Sequence, residues 1–275
     1  MKFKDLNDSE LIHSYQRRVL SRPGSLGKRG KFLLHYTDIN SVVSILQSGV
    51  IYLSSSANMN DSFEKILLDK KGIKNQLFYL CLSKGEESLA MYKMYQKDKR
   101  KSVVIKLAFS DIENIMSQAL YGECKDGIDD IGKYIQHHRQ VNIVRNDKLT
   151  IKKVWANLYC VEVLYLNPER NTLSNKSSVN KHIKFPLREQ DLIGSVKYDC
   201  WSYEQEIRLC GFTRKPLKSN EKIALSLAND VCNNMVVVLG PDFDNNINQN
   251  SLTILREYGV KYTNSYYKDI YSGVL

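Results

Sequence analysis

Two carboxylates, Glu204 and Glu206, stand two residues apart in the segment WSYEQEIRL. The residues from Ile207 to Phe212 are typical of a β-strand, in which alternate side chains point to the same face. The pattern therefore predicts both carboxylates on one face of a strand, with Arg208 on that face as a partner. Two like charges so placed are unfavourable unless a cation or a ligand lies between them. The sequence thus indicates either a surface ion-pair ladder or an acid pair with a function.

The composition indicates a globular protein with a sizeable core and a basic surface. Of the 275 residues, 43% are hydrophobic, and the formal net charge is +10. Such an excess of positive charge favours polyanionic partners, above all nucleic acid. Basic residues cluster within 17–31, 93–101 and 148–153, and each cluster is either a binding surface or an ordinary solvated face.

Two further signals concern location and metals. No apolar run approaches the length of a membrane span, and the first residues lack the features of a secretory signal, so we expect a cytoplasmic protein without a membrane partner. The six cysteines include no C-x-x-C pair, and the five histidines show no ligand spacing. We therefore expect reduced cysteines and no bound metal.

Alternating and helical patterns predict an α+β fold, with a mixed β-sheet core and peripheral helices in one domain over 1–275. A helical extension is predicted in 1–30, and a helical insertion in 108–150, with helices over 110–120 and 128–145. Asp38 is predicted to cap a helix over 39–47 that ends at Gly49. Predicted strands cover 32–37, 50–54, 77–83, 102–107, 154–166, 207–212, 222–227, 235–239 and 260–263.

Four short motifs stand out in this framework. They read HYT at His35–Thr37, NMNDSFE at Asn58–Glu64, CLS followed by LAMYKMY within 81–95, and WSYEQEIRL from Trp201. In order and spacing they resemble a bacterial family known as domain of unknown function 2971, from about Phe32 to the end of the chain. Tyr92 stands where that family usually has Trp.

More remotely, the arrangement resembles ADP-ribosyltransferases that modify nucleic acid, whose first strand also reads HYT. That resemblance implies an ADP-ribosyltransferase-like fold and NAD as the cofactor. It places His35 at the first site position, Ser54 or Tyr52 at the second, and Glu206 at the third, with Glu204 as the upstream acid. The residues expected to bind the cofactor are His35, Tyr36, Thr37, Ser54, Asn60, Tyr92 and Trp201. Tyr36 and Trp201 are also typical core residues.

The chemistry of these residue types fits the resemblance. Cleaving the bond between nicotinamide and ribose passes through an oxocarbenium-like centre, which Glu206 is suited to stabilise. Glu204 is suited to act as a general base on the acceptor, and a neutral His35 can hydrogen-bond a ribose hydroxyl. The resemblance implies a toxin or phage-defence enzyme acting on nucleic acid, with an antitoxin or regulatory protein as a further partner.

Three other functions remain open at this point. An NAD glycohydrolase would use the same scaffold with water as the acceptor. A non-catalytic module would bind nucleotide or nucleic acid without turning over NAD. A metal-dependent nuclease would draw on Asp61, Glu64 and the acid pair.

Overall fold

The computed structural model describes the chain in several stretches. They cover residues 32–59, 61–70, 72–73, 75–95, 97–118, 137–145, 148–167, 172–174, 183–184, 194 and 196–268. The predicted N-terminal extension and Asn60 lie outside the described residues.

The described elements are fourteen strands, six α-helices and three short 3-10 helices. The strands are β1 Phe32–Asp38, β2 Val50–Ser55, β3 Leu77–Lys84, β4 Ser102–Ala108, β5 His137–Arg145, β6 Lys148–Glu162, β7 Leu164–Asn167, β8 Thr172–Ser174, β9 Ile183–Lys184, β10 Val196–Tyr198, β11 Glu206–Thr213, β12 Glu221–Ser226, β13 Val236–Leu239 and β14 Lys261–Asn264. The α-helices are Ile39–Ser48, Ser62–Lys70, Leu89–Tyr95, Phe109–Gln118, Asn229–Asn234 and Gln249–Glu257, and the 3-10 helices are Ser56–Asn58, Lys99–Lys101 and Asp199–Glu204. This content confirms the α+β class.

The chain divides into two compact units. In its described part, the first unit draws on residues within Tyr52–Cys81 and Ala119–Ala224, and the second on residues within Gly27–Ile51, Leu82–Gln118 and Leu225–Leu275.

The first unit contains a ring of six strands. Strands β11, β6, β5, β12, β2 and β3 are neighbours in that order, and β3 pairs again with β11. Apolar side chains fill the inside of the ring. A Cβ added at Gly211 would lie 2.7 Å from Ile223 Cδ1 and 3.2 Å from Leu53 Cδ2, so a side chain on β11 at this point would displace both neighbours. Strands β10, β7, β8 and β9 form a second, four-stranded sheet.

On the outer face of the ring, a second apolar cluster packs beneath the helix Ser62–Lys70. Its buried members are Leu68, Leu77, Tyr79, Val161 and Cys210. Because alternate residues of β11 share a face, Cys210 and Arg208 both lie on this outer face. The helix and the ring therefore enclose the segment of β11 in which the acid pair was predicted.

In the second unit, strands β3, β1, β4, β13 and β14 are neighbours in that order. The β4–β13 pair is antiparallel and the β13–β14 pair is parallel, so the sheet is mixed as predicted. Val237 and Val238 are fully buried, so β13 is covered on both faces. The helix Ile39–Ser48 begins and ends as predicted, since Asp38 accepts a hydrogen bond from Ser41 N and Gly49 has a φ of 63°.

Several sequence-based assignments differ from the structure. The predicted strand over 154–166 is two strands, β6 and β7, and the helix Asn229–Asn234 was not predicted. The segment 137–145, predicted as part of a helical insertion over 108–150, is strand β5; only Phe109–Gln118 is helical among the described residues there. Val141 and Ile143 are buried, whereas Gln140 and Asn142 are half-buried, and all four residues pair with β6. Burial along this segment therefore repeats every two residues, as in a strand. The helix Ser62–Lys70 was not predicted. No described helix is long and apolar enough to cross a membrane.

Candidate functional site

The backbone changes direction between the two carboxylates of the predicted pair. Glu204 is the last residue of the 3-10 helix Asp199–Glu204, and Glu206 is the first residue of β11. Gln205 between them is left-handed, with a φ of 44°. The prediction that Glu204 lies on the strand is therefore wrong, because the turn at Gln205 separates the two residues. The turn nevertheless brings both side chains to the same neighbour.

Glu206 is held by two cations and a buried backbone contact. Its carboxylate accepts hydrogen bonds from Arg208 Nε at 2.9 Å and Nη2 at 3.1 Å. The Nζ atom of Lys197 lies 2.9 Å from Glu206 Oε2. The backbone N–H of Glu206 donates to the hydroxyl of Tyr165 at 2.8 Å. These contacts confirm Arg208 as a partner, but the surface ladder is wrong, since Glu206 is only 3% exposed.

Arg208 joins β11 to the helix Ser62–Lys70. Its Nη1 and Nη2 atoms donate to the two carboxylate oxygens of Glu64 at 2.5 and 3.0 Å. Nη1 also donates to the carbonyl oxygen of Gly194 at 3.0 Å, and the guanidinium lies 4.5 Å from the ring centroid of Tyr79. Bidentate pairing of this kind fixes both direction and distance. Arg208 is completely buried, so its charge is neutralised by protein groups alone.

Lys197 brings Glu204 into the same group. Its Nζ atom donates to Glu204 Oε2 at 2.6 Å and lies 5.3 Å from the ring centroid of Trp201. We call the five charged residues joined in this way the carboxylate network: Glu64, Glu204, Glu206, Lys197 and Arg208. Its three acids face two cations. Each of the three acids contacts at least one of the two cations.

The charges of the network shift the pKa values of Glu206, Lys197 and Arg208. Burial favours the protonated form of Glu206, but Arg208 and Lys197 outweigh it and lower the pKa of this carboxyl from 4.5 to about 2. Burial likewise opposes the charged form of Lys197, yet Glu206 and Glu204 raise the pKa of its amine above the usual value. Glu206 is therefore ionised at neutral pH, and Lys197 is protonated.

A thiol and a phenol border the network. Burial, and then the charge of Glu206, raise the pKa of the Cys81 thiol well above its usual value. Burial also raises the pKa of Tyr165. Both groups are therefore neutral at physiological pH. The Cys81 thiol donates a hydrogen bond to the Glu206 carboxylate, and the Tyr165 hydroxyl accepts one from the Glu206 backbone N–H, so neither adds charge.

The residues predicted to bind the cofactor fall in both units. In the first unit, Trp201 is half-buried beside Lys197, and Ser54 pairs in register with Tyr79. In the second unit, His35 and Thr37 lie half-buried on β1. Their expected roles stay predictions.

Tyr36 and Tyr92, also in the second unit, pack together. Their rings meet edge to face at 5.2 Å within an apolar cluster. The hydroxyl of Tyr36 accepts a hydrogen bond from Ser88 N, and that of Tyr92 donates to Glu87. Both contacts are those of core tyrosines, although a role in cofactor binding remains a prediction.

Sequence reasoning singled out Glu204 and Glu206, and it named Glu64 only for the nuclease alternative. It gave no site role to Lys197, Tyr165 or Gly194. A signal existed for Glu64 and Lys197, because Glu64 belongs to the second motif and Lys197 stands shortly before the fourth. Tyr165 and Gly194 carry no such signal. Their contribution depends on a strand and a turn that meet β11 only in the folded chain.

Among the described residues, no group of three or more His, Cys, Asp and Glu side chains is arranged to hold a metal ion. Comparison with protein-family models, with curated proteins and with solved structures finds no match.

Proposed function

We propose that the protein is an NAD-dependent ADP-ribosyltransferase that modifies nucleic acid, with an ADP-ribosyltransferase-like fold. The observation that carries the proposal is the convergence of Glu204 and Glu206 on a single cation, Lys197 Nζ, at 2.6 and 2.9 Å. Two carboxylates that share one cation mark a place where positive charge is stabilised. The resemblance to ADP-ribosyltransferases points to the same two acids.

Glu206 has the properties that oxocarbenium stabilisation requires. Cleavage of the bond between nicotinamide and ribose develops positive charge on the sugar, as glycoside cleavage does. A fixed, ionised carboxylate stabilises that charge most where water is excluded. Glu206 is buried, and its pKa of about 2 keeps it ionised. We therefore assign the stabilising role to Glu206.

Glu204 is the second acid that contacts Lys197, and we assign to it the role of general base on the acceptor. Arg208 pairs with Glu64 and Glu206, and Lys197 then faces both Glu206 and Glu204. A second carboxylate two residues upstream of the stabilising acid is suited to accept the proton of an acceptor held beside it. Glu204 precedes β11 and ends the 3-10 helix Asp199–Glu204, whereas Glu206 is the first residue of the strand. The two acids are therefore positioned by different elements.

Two aromatic residues lie beside the acids. The ring centroids of Trp201 and Tyr203 are 6.3 Å apart, and Tyr203 is 37% exposed. Aromatic rings at the edge of a buried charged group offer a stacking surface for a planar ring such as nicotinamide. The aromatic pair thus supports binding of the leaving group near the acids.

A non-catalytic module that binds nucleotide or nucleic acid is the second candidate. The observation that favours it is the burial of the network: Glu204 and Arg208 are 1% and 0% exposed. In that case the network only joins the helix Ser62–Lys70 to β11. An NAD glycohydrolase differs from the transferase only in its acceptor.

Incubation with labelled NAD and separate pools of DNA, RNA and protein tests the proposal. We expect transfer of label to nucleic acid by the natural chain, and a loss of at least about 100-fold in Glu206→Gln. Glu204→Gln should lose transfer while keeping slow nicotinamide release, because it retains Glu206.

The matched control is Glu221→Gln, which removes a buried acid paired with Arg145 and Lys152 elsewhere in the first unit. It should keep full transfer. Equal transfer by Glu206→Gln and the natural chain, with both folded, rules out the assigned role. Nicotinamide release that needs no nucleic acid identifies a glycohydrolase, and absence of any NAD product identifies the non-catalytic module.

A further inference from the structure

A strongly basic segment of the second unit connects the helix Leu89–Tyr95 to β4. Between Lys93 and Lys101 it carries five cations and one acid, a net charge of +4. The side chains of Lys93, Lys97, Lys99 and Arg100 are exposed, and that of Lys101 is half-buried. We call residues 93–101 the basic turn.

Most of this charge is not compensated within the protein. The acid of the turn, Asp98, is occupied by Arg100, whose Nε atom lies 3.2 Å from Asp98 Oδ1. In the part of the chain that the structure describes, no ion pair joins the four lysines of the turn to an acid. Four positive charges within nine residues repel one another, and a polyanion would relieve that repulsion.

The backbone of residues 98–101 in the basic turn is held by hydrogen bonds. The carbonyl oxygen of Arg100 accepts hydrogen bonds from Asp244 N at 3.0 Å and from Asn248 Nδ2 at 2.7 Å. Asp98 caps the 3-10 helix by accepting from Arg100 N at 3.1 Å. The next residue, Ser102, accepts a hydrogen bond from Gly240 N at 2.8 Å. A charged turn held in this way loses little backbone entropy when it binds a ligand.

Apolar side chains lie next to these charges. Met94 and Tyr95, at the end of the helix Leu89–Tyr95, are 55% and 36% exposed. An exposed aromatic ring beside lysines is the combination with which proteins bind single strands, since unpaired bases stack on the ring while the cations contact phosphates. Duplexes offer no unpaired base to such a ring.

We infer that the basic turn is a binding surface for single-stranded nucleic acid, with its lysines on the phosphates and Tyr95 against a base. The inference deepens the proposed function, because it names the surface that holds the acceptor. It rests on that function only for the choice of nucleic acid as the polyanion, and its test uses no NAD.

The test is fluorescence anisotropy of the full chain with a labelled single-stranded oligonucleotide, as DNA and as RNA, from about 50 to about 200 mM salt. Four phosphate contacts predict a slope of about −3 for log affinity against log salt. The variant Lys97→Gln/Lys99→Gln/Lys101→Gln should flatten that slope by about 2. Tyr95→Ala should weaken binding by about tenfold with the slope unchanged.

The matched control neutralises three exposed cations elsewhere, Arg214→Gln/Lys215→Gln/Lys218→Gln. It should bind as the natural chain does. Equal affinity and slope for the triple lysine variant and the natural chain overturn the inference, as does tighter binding of the matching duplex. Thermal unfolding of each variant verifies that it is folded. Binding by the natural chain without NAD turnover would refute the transferase and leave this surface in place.

Discussion

Glu206 and Glu221 occupy similar positions in the first unit but differ in the surroundings of their partners. Each is the first residue of a strand, each is buried, and each contacts two cations. The partners of Glu221 remain in solvent, since the side chains of Arg145 and Lys152 are 35% and 43% exposed. The partners of Glu206 are Arg208 and Lys197, and their side chains are only 0% and 7% exposed.

The two groups also differ in the sign of their surplus charge. At Glu221 one acid faces two cations, whereas the carboxylate network has three acids for two cations. Burying such a group contributes little net stability, because desolvation offsets the Coulomb attraction. Stability alone is therefore a weak reason for the network, and a clustered, buried set of ionised groups is more typical of a functional site. Four experiments test this contrast.

The largest difference is expected when one cation is removed from each group. Arg208→Met leaves Glu64 and Glu206 buried with only Lys197 nearby, so we expect a loss of about 3–5 kcal/mol in the free energy of unfolding. Arg145→Met leaves Glu221 with Lys152 and solvent, and should cost about 1 kcal/mol or less. Urea denaturation followed by circular dichroism measures both losses. Equal losses would mean that the two groups play the same structural role.

The second-largest difference is expected in the pH dependence of stability. The pKa of Glu206 is lowered from 4.5 to about 2 on folding, so its contribution is present above about pH 5 and is lost as the pH falls towards 2. The shift corresponds to roughly 3 kcal/mol. Glu206→Gln should therefore lose less stability between pH 5 and pH 2 than the natural chain does, as measured by urea midpoints. A variant with the natural acid profile would contradict the lowered pKa.

A comparison of two glycines tests how tightly the network is packed. Gly194 and Gly72 both have a positive φ, 75° and 67°. A Cβ at Gly194 would collide with the Tyr79 hydroxyl and lie 2.9 Å from Leu77 Cδ2, whereas a Cβ at Gly72 would have no neighbour within 4 Å. We expect Gly194→Ala to cost roughly 2 kcal/mol more than Gly72→Ala, because overpacking adds to the shared backbone strain. Thermal unfolding of the two variants tests this, and equal losses would show a loosely packed site.

The smallest effect concerns salt. Ions screen the half-exposed cations of Glu221, so the stability lost in Glu221→Gln should shrink by about 0.5 kcal/mol between low salt and 1 M NaCl. The loss in Glu206→Gln should stay constant, since its partners are out of reach of solvent. Paired urea titrations at the two salt concentrations give both values. A salt-sensitive Glu206 would place the network in contact with water.

Local signals predicted the elements whose pattern is short and complete. The helix Ile39–Ser48 was predicted with its cap at Asp38 and its end at Gly49, because both depend on hydrogen bonds within the segment itself. Strand β13 was recognised from its run of β-branched residues. Strand β5 was mistaken for a helix, because the alternation of its buried side chains depends on its pairing with β6.

The candidate site was predicted in part for the same reason. The spacing of Glu204 and Glu206 correctly indicated that the two carboxylates belong to one charged group. The prediction that both lie on a strand was wrong. The left-handed turn at Gln205 is not a conformation that glutamine favours locally, and the surrounding contacts impose it.

The amino-acid sequence alone determined that two acids, an arginine and aromatic residues follow one another at the start of a strand, in a chain of net charge +10. Only the tertiary structure decided that these acids are buried and share Lys197. Glu64 meets Arg208 across 144 residues of sequence, and Gly194 reaches the same guanidinium from a separate turn. The physical reason is that desolvation and ion pairing depend on which groups fold against one another, and no local pattern encodes that.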